Sequence, residues 1–312
     1  MKKLIVISCL AVFFASCEKV IEPGELPEQD TRMVINAVLD KDSVVTVYLS
    51  QSKSIISGKD YKTIDKQNVF VYENDVFFEQ LSFIAKGKYI GTKKPSVGKT
   101  YKVIARASNL PDAEGSTLMP NLPVIKAVER IDTVNSAPFI YNGFTSKDIS
   151  VGGNISYKVS LEDFPNTNDF YSISLAGTIV DSTGLNEISL GTIYISDNTA
   201  GQNSNLNTFS YNGIYGTDQE NVSNGNRVFN FTGNIYGSGT ELKRPLKLYL
   251  MMVVTQISED YYKYMLTTSK QISTGASFFA EPTVIYSNCS NGMGIVGGRT
   301  STVKLLDPII IK

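Results

Sequence analysis

Apolar and polar positions alternate along most of the chain with a period near two, the spacing of half-buried β-strands. From Met33 the β-formers Val34, Ile35, Ala37, Val38 and Leu39 run densely, and Val45, Val47 and Leu49 then interleave with Val44, Thr46 and Tyr48, which predicts two successive strands. Val69 to Tyr72 meet Val76 to Phe78 across Glu73, Asn74 and Asp75, a polar gap short enough to close a hairpin. Tyr89 and Ile90, then Tyr101 to Ala105 after Gly98, add further strands. Short strands parted by turn residues and lacking helical periodicity predict an N-terminal immunoglobulin-like β-sandwich over 31–108. Three prolines within Asn109 to Pro123 mark 109–123 as a linker.

The remainder, 124–312, reads as a second, larger β-sandwich domain with one covering α-helix. Its strands lie at Val124 to Ile131, Ile155 to Leu161, Phe170 to Val180, Ile188 to Ile195 and Leu246 to Thr255. The helix is predicted near 258–272. Ser258 can cap it, Glu259 and Asp260 suit the positive end of its dipole, and Tyr261, Tyr262, Met265 and Leu266 form an apolar stripe.

The N-terminus breaks the pattern. Lys2 and Lys3 precede an apolar run from Leu4 to Phe14 that closes on Ala15, Ser16 and Cys17, the layout of a secretory signal over 1–16. The run is shorter than the roughly 20 residues a membrane-spanning helix needs. Ala15 and Ser16 before Cys17 resemble the lipobox of bacterial lipoproteins, with Phe14 standing where that motif favours leucine. The resemblance implies a diacylglyceryl group, with palmitate-like chains, on the Cys17 sulfur after cleavage ahead of it. The membrane is then a partner through lipid alone, and several acyl chains anchor stably where one short chain does not. Residues 17–30, acidic and broken by Pro23, Gly24 and Pro27, form a flexible tether reaching roughly 40 Å.

Charge and composition narrow the chemistry. A formal net charge of −1, more negative once Lys2 and Lys3 depart with the signal, excludes a nucleic-acid partner on charge grounds. Of three cysteines, Cys9 leaves with the signal and Cys17 is acylated, so Cys289 remains as a single buried thiol without a disulfide partner. The chain has no histidine, which removes the usual general base of serine and cysteine hydrolases and the commonest metal ligand. We therefore expect no enzyme, no catalytic residues, no metal and no cofactor. The local acidic pairs Glu162 with Asp163 and Glu259 with Asp260 would change that only if acids from distant strands converged in one cleft. Gly292, Gly294 and Gly297 match the spacing of a dinucleotide fingerprint, but the segment from Arg299 onward reads as strand and not as the helix that motif needs, so close backbone approach explains them better.

Between Ser196 and Glu241 the chain is rich in Ser, Asn, Gly and Thr and punctuated by aromatics. Tyr211, Tyr215, Phe229, Phe231 and Tyr236 there make a candidate ligand surface, since flat rings beside amides suit carbohydrate or peptide contact. The same pattern fits edge hairpins with half-buried rings.

Several stretches carry a family resemblance: Cys17-Glu18-Lys19-Val20-Ile21, Met33-Val34-Ile35-Asn36-Ala37, Val71-Tyr72-Glu73-Asn74 and Gly98-Lys99-Thr100-Tyr101. Tyr261-Tyr262-Lys263-Tyr264, Glu281-Pro282, Tyr286-Ser287-Asn288 and Gly292-Met293-Gly294-Ile295 continue it. Together they resemble the Bacteroidetes lipoprotein family called domain of unknown function 4249, departing from its pattern at Cys289 and Val296. The resemblance implies an outer-membrane lipoprotein, facing periplasm or exterior, and a TonB-dependent outer-membrane transporter as partner. It implies no catalytic residues. The expected function is a non-enzymatic ligand-binding or transport-accessory lipoprotein; the alternative is a surface adhesin or structural coat component.

Overall fold

The computed structural model describes residues 30–53, 61–131, 138–142, 148–162, 164, 168–197, 207–208, 214–216, 222–223, 225–274 and 283–311. The chain is mainly β, and its strands gather around two cores.

The first core is built by β1 (Met33–Asp40), β2 (Thr46–Gln51), β3 (Asn68–Glu73), β4 (Val76–Ala85), β5 (Lys88–Ile90), β6 (Thr100–Ala107) and β7 (Leu110–Leu118). β1, predicted from its dense β-formers, alternates: Met33, Ile35, Ala37 and Leu39 point inward and are fully buried. The β3–β4 turn is the expected hairpin, with Asn74 and Asp75 both at positive φ, the pair of left-handed residues that a tight turn matched to strand twist requires. β4 then changes partners. Its first half pairs with β3 and its second half with β5, so one strand turns the corner between the two layers.

β7 corrects the predicted linker. Residues 110–118 are strand, paired to β6 from Thr100↔Leu118 to Ala107↔Leu110, and Ala113 and Thr117 face the core. Pro111 is tolerated because it lies where the register shifts, at a bulge with no ladder bond to lose.

The second core lies between two sheets. Its strands begin with β8 (Ile125–Arg130), β9 (Phe139–Asn142), β10 (Asp148–Glu162), β11 (Phe170–Val180), β12 (Glu187–Ile193) and β13 (Ile195–Asp197). They continue with β14 (Asn207–Thr208), β15 (Ile214–Gly216), β16 (Val222–Ser223), β17 (Asn226–Thr240) and β18 (Leu246–Ile257). β10 and β17 pair over fifteen consecutive positions, from Asp148↔Thr240 to Glu162↔Asn226. Against them stands the β11–β18 pair, and Ile155, Val159 and Phe231 from one layer meet Ile173, Leu175, Leu250 and Met252 from the other.

After α1 (Glu259–Thr274) come β19 (Cys289–Ser290), β20 (Gly292–Leu305) and β21 (Ile309–Ile311). These overturn a clean division at 109–123. β19 pairs with β7, and β20 runs parallel to β1 from Met33↔Gly292 to Asp40↔Arg299. β20 then pairs antiparallel with β18 from Ile257↔Arg299 to Met251↔Leu305. One strand therefore belongs to both units, and Arg299 Nε donates to Asp40 Oδ2 at 2.8 Å where it crosses over. Among the described residues no helix is long and apolar enough to cross a membrane.

Candidate functional site

The glycines of β20 determine how the two units meet. A Cβ on Gly297 would lie 2.7 Å from Tyr261 Cβ, and one on Gly298 would lie 3.0 Å from Met119 Sδ. The bare backbone thus lets α1 settle on one face of the strand and the 119–124 connector on the other. Gly294, at φ +108°, passes so close to Ile35 that no side chain fits. The expected close-approach role of these glycines is what the structure shows.

Hydrogen bonds fix both neighbours in place. Ser258 Oγ accepts from Tyr261 N at 3.4 Å, as a helix cap does, and also from Gly298 N at 3.0 Å. Ser258 N donates to Gly298 O at 2.8 Å. On the other side Thr300 Oγ1 donates to Asn121 O at 2.5 Å and Thr302 Oγ1 to Pro123 O at 2.6 Å, while Gly98 N donates to Met119 O at 3.0 Å.

Between these pinned segments lies a cleft of about 490 Å³, within the range of about 300–1,000 Å³ usual for small-molecule sites. Leu118, Met119, Pro120 and Ile257 give it an apolar wall. Asp169, Gln256, Glu259 and Asp260 give it an acceptor-rich one, with Asn121, Asn168 and Ser258 between.

Gln256 is the unusual residue. It is 3% exposed, and its Nε2 donates to Asp169 Oδ1 at 2.5 Å. Oε1 is left buried without a hydrogen-bond partner, a state that is costly and rare in folded proteins.

The acids at the helix start are partly committed. Lys263 Nζ lies 2.8 Å from Glu259 Oε1, and the Tyr286 hydroxyl donates to Asp260 Oδ1 at 2.5 Å. Burial, and then that bond to a carboxylate, push the Tyr286 hydroxyl up to about 12. Acids from distant elements do converge here, the condition set above for considering an enzyme. Among the described residues no cluster of three or more His, Cys, Asp or Glu could hold a metal.

Two of the five rings predicted to form an aromatic surface over 196–241 face the core instead. Phe229 and Phe231 are 3% and 0% exposed in the second core, because the run from Asn226 alternates inward rings with outward Asn and Thr. Tyr236, farther along the same strand, is exposed. Tyr215 lies in β15 opposite Ser172 of β11, while Tyr211 and Cys17 fall outside the described residues. Cys289 is half-buried beside Gly115 and Val296, and burial pushes its thiol up to about 11, away from the reactive thiolate. Sequence reasoning missed the cleft because Asp169, Gln256 and the 118–121 segment are far apart in the chain. The helix cap and its acids were the legible part of its lining.

No curated protein matches the chain. Among solved structures, the three N-terminal domains of the bacteriophage RB49 Highly Immunogenic Outer Capsid protein (Hoc) are similar at 10% identity and a TM-score of 0.24. The match covers 72% of this chain and 63% of that one, a little under two thirds of its length. A structure described as complete manganese lipoxygenase of Gaeumannomyces graminis with partial zonadhesin of Komagataella pastoris is similar at 11% identity and a TM-score of 0.15, covering 72% of this chain and 88% of that one. Neither likeness supports an argument about function. A family model described as Domain of unknown function (DUF4249) matches residues 21–304.

Proposed function

The chain belongs to the DUF4249 family, and from that premise we propose that it is a non-enzymatic outer-membrane lipoprotein, anchored through Cys17, that binds a small ligand in the cleft between its two units and serves a TonB-dependent transporter. The observation that carries the binding reading is the cleft itself, about 490 Å³ with an apolar wall from Leu118, Met119, Pro120 and Ile257 facing polar and acidic residues.

Two further features support the reading. The cleft walls are pinned to one strand, so little ordering entropy is lost when a ligand enters. On the outer face of the second unit, Tyr249 and Met251 of β18 adjoin Val303 and Leu305 of β20, all exposed, with Met251 directly opposite Leu305. A contiguous apolar patch of this kind suits contact with another protein.

One observation favours a second reading: Asp169 shares the cleft with Glu259 and Asp260, as the two carboxylates of a glycosidase share theirs. Against it stand the engagement of Glu259 by Lys263 and of Asp260 by Tyr286. Release of reducing ends from a polysaccharide panel, abolished by Asp169→Asn, would establish the enzyme instead.

The test of the proposal is purification of a C-terminally tagged chain from native membranes in mild detergent, beside Cys17→Ala. Stoichiometric recovery of a TonB-dependent transporter, lost in the variant, is the expected result. Recovery of the lipoprotein alone would overturn the transporter role and turn attention to adhesion.

A further inference from the structure

The sheet of the second unit that does not contain β20 turns its outer face to solvent, and the alternation of β17 decides what that face carries. Phe229, Phe231 and Ile235 enter the core, so Asn234 and Tyr236 stand outward, and both are exposed. β10 pairs with β17 so that Asn154, also exposed, lies opposite Asn234 and Gly152 lies opposite Tyr236. On the other side of β17, Asn234 N donates to Tyr194 O at 3.0 Å. Ile193 and Ile195 flank Tyr194 and are buried, which turns its ring outward, 43% exposed.

Tyr194 and Tyr236 are thus diagonal neighbours on one face, about 7–8 Å apart, with Asn234 beside both. Gly152 adds no side chain next to Tyr236, so a shallow trough runs from the two rings across β10. Phe139 of β9, paired with Gly152 and 56% exposed, bounds its far side. From Tyr194 to Phe139 the row crosses three interstrand spacings, about 14 Å.

Charge selects among occupants. From Ser150 to Ser156 on β10 and from Thr232 to Ser238 on β17, the outward residues are Ser, Gly, Asn, Thr and Tyr, none of them ionised at neutral pH. Lys158, the next outward position of β10, is answered by Glu129 at 3.9 Å. An anionic lipid surface or acidic polymer therefore finds no unanswered cation in this row. An extended peptide binds a sheet by adding to a free strand edge, and β10 and β17 are each paired on both sides. A neutral sugar chain needs neither feature. Its C–H faces stack on rings, and its hydroxyls exchange hydrogen bonds with amides.

We propose that this face is a site for a neutral polysaccharide, separate from the cleft, with Tyr194 and Tyr236 as stacking platforms and Asn154 and Asn234 as hydrogen-bonding partners.

Affinity electrophoresis of the full chain in neutral detergent tests this, with starch, galactomannan and xyloglucan as neutral probes and polygalacturonate as the anionic one. Retardation by at least one neutral probe, and none by polygalacturonate, is expected. Tyr236→Ala and Tyr194→Ala are each expected to weaken that binding by about tenfold, while Tyr236→Phe, which keeps the ring, retains most of it. Both rings are exposed, so neither alanine opens a core cavity, and an unchanged melting temperature separates loss of the site from loss of the fold. Retardation by no probe, or by polygalacturonate as strongly as by the neutral probes, overturns the proposal. Neutral-probe retardation that is the same in both alanine variants also overturns it.

Discussion

Phe231 and Tyr236 lie five positions apart on one strand with opposite fates. The first is fully buried and the second 69% exposed. Phe231→Ala removes a ring packed between layers and is expected to cost about 3–5 kcal/mol, whereas Tyr236→Ala is expected to stay within about 0.5 kcal/mol; chemical denaturation of the two variants checks this. A reversed order would mean that β17 presents its other face to the core.

Tyr286 gives a pH dependence whose sign is fixed. Its hydroxyl is held at about 12 in the folded chain, against about 10 when unfolded. The folded state therefore keeps the proton more tightly, and the stabilisation is complete below pH about 10 and lost as pH rises toward about 12. Near-ultraviolet circular dichroism across that window is expected to show loss of native signal, reduced in Tyr286→Phe, which has no proton to lose. An identical profile in the variant would show that the Tyr286–Asp260 contact does not couple to folding.

At the scale of elements, the cap of α1 does two tasks through one oxygen. Ser258→Ala deletes both the bond to the helix start and the bond to Gly298 N. Its expected cost, about 2 kcal/mol, therefore sits at the top of the range for a lost cap. Thermal unfolding reads it, and a cost of a few tenths would mean that water replaces the hydroxyl at both sites.

Elements with two-residue periodicity or local chemistry were legible in the sequence. β1 shows as a dense run of β-formers; the Asn74-Asp75 turn announces its hairpin; Ser258, Glu259 and Asp260 mark where the helix starts. β17 was equally readable, since Phe229, Phe231 and Ile235 alternate with Asn230, Thr232 and Asn234. The abundance of amides between them drew the reading toward a surface. β7 was hidden by Pro111, which reads as a breaker unless the bulge opposite Arg106 is known. The pairing of β1 with β20 links positions about 260 residues apart, and nothing local encodes it. The cleft inherits that blindness, because Gln256 and Asp169 become neighbours through the β11–β18 pairing and Met119 joins them across β20.

For the whole molecule, β20 makes two cores into one mechanical body. Its first half completes the sheet of the first unit and its second half that of the second, so neither unit opens fully without stripping a shared strand. Gly294→Ala, placed where a side chain would collide with Ile35, is expected to lower one common unfolding transition and not to split it in two. Calorimetry showing two well-separated transitions in the parent chain would contradict the shared-strand account.

The central claim is that a lipid on Cys17 presents a ligand-occupied cleft at the membrane, and native mass spectrometry of the intact chain from its own membranes tests it most directly. The account predicts an N-terminus beginning at an acylated Cys17 together with a small non-covalent adduct. An unacylated terminus, or a chain mass with no adduct, would contradict it.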